Sequence, residues 1–326
     1  MVFHPPGPFQ TTMRIHGSYT ECQTATIGAG GCAGRLVDRR LPFARGVIGR
    51  GSGMMRSMRA PSALTGVLFR RSVTETYRRV FRPPWEVPAA LIGNALLMTA
   101  AWFLLPPRVH DWLFALHGPL AFPVLLATWM LADTPSTNVV GHDRSKALSV
   151  LNDGAAFRTW LTARCLVLTS LVGPPCALVA LAIGVQGQHA VKVVAACVVL
   201  VILPLGILPV AAWLGLVFPY NLRPLRWRWQ HRSDRRTTIR WGVLLVVPYL
   251  FVPAIAATAI LPSIVVAHWL FDAPEHQLTQ PQFVADALMI CATALVVGWL
   301  GLWVAGRLRQ RRHDRLTTYL LDSNAG

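Results

Sequence analysis

Six long runs of the sequence are apolar and almost free of charged residues. Each run approaches or exceeds the ~20 residues that a helix needs to cross about 30 Å of hydrocarbon. The runs are continuously apolar, whereas the strands of a membrane-spanning barrel alternate apolar with polar residues. The sequence therefore predicts an all-α, polytopic helical membrane protein with six transmembrane helices. The predicted spans are Pro88–Leu105, Trp112–Ala132, Cys165–Gln186, Val193–Phe218, Trp241–Phe271 and Phe283–Gly306.

The composition agrees with this class, because the chain has too few charged residues to cover a soluble surface. Of the 326 residues, 53% are hydrophobic and 14% are charged, whereas typical soluble domains contain about 25% charged residues. The 31 Lys and Arg residues outnumber the 14 Asp and Glu residues, which gives a net charge of +17. Such an excess comes either from nucleic-acid binding or from the positive-inside bias of membrane loops.

The positions of the basic residues favour the membrane explanation. Five bases precede the first span, four follow the second, seven lie between the fourth and the fifth, and five follow the sixth. The alternate loops carry one base, one base and none. This alternation predicts a multi-pass protein of the cell (inner) membrane with both termini in the cytoplasm.

One basic segment, residues 226–232, also contains the aromatic residues that single-strand nucleic-acid binders use. Because it lies between two predicted spans, we interpret it as an anchor on anionic lipid head groups. The sequence thus predicts membrane lipids as a partner and no nucleic acid.

The chain before the first span has two parts. Residues 1–59 are rich in Gly and Arg and lack a helical or strand period, so we expect them to be disordered. An alternative is that they are not translated, since Met54, Met55 and Met58 lie just before an orderly segment. In residues 60–82 apolar residues recur at helical spacing between arginines, which predicts a basic amphipathic connecting helix on the inner membrane face.

The sequence contains no recognisable catalytic motif. Both the Gly-x-Ser-x-Gly elbow of serine hydrolases and the Gly-x4-Gly-Lys-Ser/Thr loop of ATPases are missing. The six cysteines form no Cys-x-x-Cys pair, so we expect reduced thiols that serve as packing residues. Asn94 and His117 are the polar candidates within the spans, and each is expected to hydrogen bond between helices. We predict no enzymatic activity, no cofactor and no metal.

The loop after the second span has the most informative pattern. It contains two short apolar stripes at helical spacing, separated by the turn signal Asn152-Asp153-Gly154. These features predict two short amphipathic helices joined by a turn, which form a docking surface under the membrane. The stripes consist of Ala147, Leu148, Val150 and Leu151, and of Phe157, Trp160 and Leu161.

The same loop resembles a segment of the type-2 permease subunits of ATP-binding-cassette exporters. It carries Asn-x-x-Gly-x-Asp at Asn138, Gly141 and Asp143, then a Leu-rich turn, then Arg158 and Ala163-Arg164 at the entry to the third span. The six-span topology and the amphipathic helix before the first span are similar too. The resemblance covers roughly residues 60–320 and implies that this loop is the coupling helix that contacts a separate ATPase.

The fifth run also bears on the topology, because its 31 residues would form a helix about 46 Å long. That length exceeds one straight crossing, so we predict a break near Pro262. The break would leave Ser263–Phe271 as a short outer segment, which resembles the re-entrant helices of the same family.

From the resemblance we expect the permease subunit of an ATP-binding-cassette transporter that exports a lipid-like or amphiphilic substrate. The implied partners are a separate ATPase subunit and either a second copy of the chain or a sister permease. The alternative is a non-transporting membrane scaffold or assembly factor with a basic cytoplasmic face. The six-span domain would occupy residues 60–320, with a basic cytoplasmic tail at 307–326. The expected ATPase-docking residues are Asn138, Gly141, Asp143, Leu148, Leu151, Arg158, Trp160 and Arg164.

Overall fold

The computed structural model describes residues 62–83, 85–109, 120–185, 189–219, 233, 235–271 and 278–322. Regular structure in these ranges is helical, without a strand, as the apolar runs predict. The predicted N-terminal extension, residues 1–59, lies outside them. The helices are α1 Ser62–Val80, α2 Glu86–Leu104, α3 Ala121–Leu131, α4 Thr134–Thr137, α5 Val139–His142, α6 Arg144–Leu151, α7 Gly154–Gly184, α8 Ala190–Val217, α9 Arg235–Phe271, α10 Gln280–Arg311 and α11 His313–Leu321.

Five of these helices are long and apolar enough to cross a membrane, namely α2, α7, α8, the Leu245–Val266 part of α9, and α10. The chain is therefore an all-α, multi-pass membrane protein. The second predicted span is described only in its later part, where α3 has 11 residues and is about 16 Å long. Its earlier part, residues 112–119, lies outside the described residues.

The predicted break near Pro262 is wrong. α9 is a continuous helix of 37 residues, about 55 Å long, that contains Pro248, Pro253 and Pro262. Residues 263–271 are therefore its last turns rather than a separate outer segment. Membrane helices tolerate proline when nearby groups satisfy the freed backbone. Pro262 removes the donor to the carbonyl of Thr258, and in the same turn the hydroxyl of buried Ser263 donates to a different carbonyl, that of Ile260, at 2.7 Å.

Helix α8 lies at the centre of the bundle and packs against α7, α9 and α10. It crosses α10 so closely that the backbones touch, because glycines face each other at the contact. A Cβ atom on Gly206 would lie 2.5 Å from the carbonyl oxygen of Ala294, and one on Gly298 would lie 2.5 Å from that of Leu205. Small residues allow this kind of close approach between membrane helices. The indole of Trp213 on α8 also donates to the carbonyl of Gly301 on α10 at 2.9 Å.

Helix α1 confirms the amphipathic helix predicted for residues 60–82. It packs against α7, where Tyr77 and Ser170 share a hydrogen bond. Val67, Leu68 and Phe81 remain exposed on its surface, which leaves them available to lipid. The chain then turns into α2 through Trp85, which adopts a left-handed conformation with φ of 62°.

Candidate functional site

The segment between α3 and α7 folds into three short helices, α4, α5 and α6, which we call the linker. Each linker helix begins with a side-chain cap. Asp133 accepts from the Ser136 amide at 2.5 Å, Asn138 from the Gly141 amide at 3.3 Å, and Asp143 from the Lys146 amide at 3.4 Å. Asp153 caps α7 in the same way through the Ala155 amide at 2.8 Å. The Asn-x-x-Gly-x-Asp pattern therefore encodes consecutive helix starts, since Asp and Asn are favoured N-caps.

The structure places most of the predicted docking residues inside the protein. Five of the eight are buried, two are half-buried and one is exposed. Buried side chains are not accessible to a partner in this structure. The buried residues are Asn138, Gly141, Leu151, Trp160 and Arg164, the half-buried ones are Asp143 and Leu148, and the exposed one is Arg158.

The two predicted apolar stripes explain this burial. The structure confirms two helices joined by a turn, but the apolar sides of both helices face the bundle. α6 packs against the first turns of α7 and against α11, whose Leu316 and Leu320 are fully buried. Ala147 and Leu161 from the two stripes are likewise buried. The basic tail is thus folded in residues 313–321, where it covers the linker.

Buried arginines attach the linker to the long helices. Arg164 of α7 donates from Nη2 to the carbonyl of Pro135 at 2.8 Å. Arg309, near the end of α10, donates from Nη1 to the carbonyl of Leu151 at 2.5 Å, and its guanidinium lies 5.9 Å from the ring centre of Phe157. In the sequence Arg309 was one of several bases after the last span, and its burial had no signal there. Both arginines satisfy carbonyls that the short helices leave free at their ends.

An ion-pair network joins α1 to the linker. Arg79 pairs with Asp143, and its Nη2 lies 2.7 Å from Oε1 of Glu75. The other oxygen of Glu75 accepts from Lys146 of α6 at 2.8 Å. The hydrogen bond from Lys146 holds the pKa of Glu75 below its ordinary value of 4.5. The network fixes the amphipathic helix to the segment that follows the second span.

This network predicts a stability difference that depends on pH. The folded-state pKa of Glu75 lies below 4.5, so its pairing stabilises the fold above that pH and is lost as the pH falls through the lower value. Glu75→Gln should therefore lower the free energy of unfolding at neutral pH by less than about 1 kcal/mol, because the carboxylate is partly exposed. The measurement is the unfolding temperature in detergent, compared with that of the wild-type protein. The difference should vanish in acid.

The control makes the same substitution in a Lys146→Gln background, where the lysine that lowers the pKa of Glu75 is absent. In that background Glu75→Gln should produce a smaller pH-dependent difference. If the unfolding temperatures of wild-type protein and Glu75→Gln differ by the same amount at all pH values, the pairing of Glu75 does not contribute to stability.

Two further titratable groups belong to the linker, namely buried Asp133 at the start of α4 and half-buried His142 at the end of α5. Burial raises the pKa of Asp133 to about 7 and lowers that of His142 to about 3. His142 is therefore neutral at physiological pH, and Asp133 is close to its titration point. Over the residues that the structure covers, no group of three His, Cys, Asp or Glu side chains is arranged to hold a metal ion.

One polar contact crosses the apolar part of the bundle. The hydroxyl of Tyr249 on α9 donates to the amide oxygen of Asn94 on α2 at 2.7 Å, and the Tyr249 ring lies 5.4 Å from that of Trp129 on α3. This confirms the helix-to-helix hydrogen bond predicted for Asn94. The other candidate, His117, lies outside the described residues. Cys165, Cys176 and Cys291 are free and buried, as expected of packing residues.

Comparison with known proteins adds no relative: no protein-family model matches the chain, and neither a curated protein nor a solved structure matches it.

Proposed function

We propose that the chain is the membrane-spanning permease subunit of an ATP-binding-cassette exporter, driven by a separate ATPase subunit. The observation that carries the proposal is the linker. Most connections between helices need only a few residues, whereas this one contains three capped helices bonded to α1, α7 and α10. A folded connection with this many attachments suits a part that receives force and passes it to the bundle.

The proposal includes six spans with both termini and the linker in the cytoplasm. Support comes from contacts among three predicted cytoplasmic segments and the predicted inner end of the fourth span. α1 pairs with the linker through Arg79, and His313 of α11 contacts Asn152 at 2.8 Å. Near the end of α10, Arg312 donates to the carbonyl of Val217 at 2.9 Å. Two predicted outer loops meet in the same way, where Lys192 donates to the carbonyl of Leu278 at 2.7 Å.

The ATPase would bind the surface of the linker rather than its buried stripes. We define the docking rim as the exposed side chains in the last turn of α6, the following turn and the first turns of α7. Arg158 is the one exposed residue retained from the docking residues predicted by sequence. The rim consists of Ser149, Asn152, Asp153, Ala155 and Arg158.

The proposal predicts that added bulk on the rim removes the ATPase. In the variant Ser149→Arg/Ala155→Arg, both substitutions lie at exposed helical positions, so the bundle should fold and insert normally. The added side chains would hold a docked subunit away from the linker. After purification from native membranes in mild detergent, we expect about ten-fold less bound ATPase, equivalent to about 1.4 kcal/mol.

The matched control, Thr74→Arg/Thr318→Arg, adds the same side chains at exposed positions of α1 and α11. It should retain the ATPase. The proposal fails if wild-type protein repeatedly purifies without an ATPase, or if the rim variant binds as much ATPase as the control.

The apolar spans favour a lipid-like or amphiphilic cargo, and a homodimer or a pair with a sister permease would enclose its path.

A further inference from the structure

A polar cavity of about 310 Å³ lies between α1, the linker and α7. We call it the arginine pocket. It is separate from the docking rim, and no residue of the rim lines it. The side chains that matter for its chemistry are Arg79, Arg82, His142, Asp143, Ser145 and Arg164.

Positive charge exceeds negative charge around this pocket. Three arginines line it together with a single carboxylate, that of Asp143. Asp143 is paired with Arg79, which Glu75 also contacts. Arg82 is exposed, and its guanidinium meets no acceptor on the described residues. Glu75 and Asp143 compensate Arg79. Asp143 and Asp133 also interact with the charge of Arg164. The charge of Arg82 is therefore in excess.

The buried side of the pocket also contains nitrogen atoms without hydrogen-bond partners. Arg164 is 3% exposed, and its Nε has no hydrogen-bond acceptor within the part of the chain that the structure covers. The buried Nδ1 atom of His142 is likewise unpartnered among those residues, and it donates in the tautomer that carries the proton there. Buried polar atoms of folded proteins almost always have partners. Unmatched nitrogens that line a cationic pocket therefore favour a ligand with acceptor oxygens.

The chemistry of these groups favours phosphate among anions. The planar guanidinium matches the spacing of phosphate oxygens, and two or more arginines can each bond a different pair of them. The exposed hydroxyl of Ser145 adds a further donor at the rim of the pocket. A neutral or cationic ligand would leave the excess charge uncompensated.

We propose that the arginine pocket binds a phosphate group, with Arg82 and Arg164 as the principal ligands. Two sources share this chemistry, the head group of a phospholipid and free phosphate. The lipid source is favoured by the surroundings, because Phe81 and Trp85 are exposed on either side of Arg82 and suit the membrane interface. Binding would attach the amphipathic helix and the linker to the same lipid. The inference does not depend on the ATPase.

The test compares Arg82→Gln with Arg78→Gln in the full chain, purified in uncharged detergent. Both arginines are exposed on α1 or the turn after it, but Arg82 lines the pocket and Arg78 does not. In one arm inorganic phosphate is titrated into the protein, with sodium chloride at equal ionic strength as the reference. In the other arm phosphatidylglycerol is added in mixed micelles. Native mass spectrometry and calorimetry measure the affinities. Unfolding temperatures check that both variants are folded.

We expect Arg82→Gln to weaken binding about ten-fold, and Arg78→Gln to weaken it less than about two-fold. Binding of phosphatidylglycerol alone would identify a lipid head group as the ligand, and binding of inorganic phosphate alone would identify a free phosphate. The proposal is overturned if wild-type protein binds neither, or if the two variants lose the same affinity.

Discussion

Gly298→Val should strongly lower the stability of the bundle. A Cβ atom at this position would lie 2.5 Å from the carbonyl oxygen of Leu205 and 3.2 Å from the Cα atom of Gly206. Both neighbours belong to the backbone of α8, so no side-chain rotation relieves the clash. The helices must separate, which breaks the surrounding contacts.

Inserting atoms into a packed core costs about 1–3 kcal/mol, and a contact with backbone belongs at the upper end. For a chain of this size about 3 kcal/mol corresponds to a fall of roughly 5 °C in the unfolding temperature. The measurement is thermal unfolding in detergent, followed by tryptophan fluorescence and by the amount of monodisperse protein after heating.

The control lies on the same helix. A Cβ atom at Gly306 would meet nothing within 4 Å, so Gly306→Val adds the same side chain without a clash. It should leave the unfolding temperature nearly unchanged. Equal effects of the two substitutions would mean that loss of glycine, rather than the contact between α8 and α10, governs stability.

Arg309→Gln should release the linker while leaving the bundle assembled. The substitution removes the donor to the buried carbonyl of Leu151 and the contact with the ring of Phe157. Hydrogen bonds to a charged group contribute about 1.5–3 kcal/mol. At about 2 kcal/mol, local opening of the linker would become roughly 30-fold more frequent. Hydrogen exchange should therefore accelerate in residues 144–151 and much less in α8.

Arg311→Gln is the matched control, because Arg311 ends the same helix but is exposed. It should not alter exchange in the linker. If Arg309→Gln also leaves that exchange unchanged, the linker does not depend on the arginine. If exchange rises equally in every helix, the substitution has loosened the bundle as a whole.

The apolar spans could be predicted from sequence because hydropathy reports directly on the length of helix that lipid can surround. Their ends could not, since α7 continues back to Gly154 and α10 continues to Arg311, beyond the predicted limits at Cys165 and Gly306. Amphipathic turns prolong a helix without being hydrophobic on all sides. The continuity of α9 through Pro262 also escaped prediction, because a proline in the sequence signals a lost hydrogen bond but not whether the helix continues past it.

The linker shows a different limit of prediction from sequence. The helix α6, the turn after it and the start of α7 follow from local pattern, whereas Asn138 and Asp143 were assigned to docking and instead cap helices. The surface that covers the apolar sides of these helices could not be predicted from local pattern. An apolar stripe indicates that a surface is covered, but the cover here comes partly from Leu316 of the distant tail. For the same reason, the sequence could not separate buried Arg309 from its exposed neighbours.

The contact between α8 and α10 limits how this protein can change shape. With Gly206 and Gly298 seated against opposing backbone, neither helix can slide along the other without driving its next side chains into that backbone. The two helices consequently move as one rigid body. A conformational change must then be hinged where contacts are made by side chains alone, as between α2 and α9 at Asn94 and Tyr249.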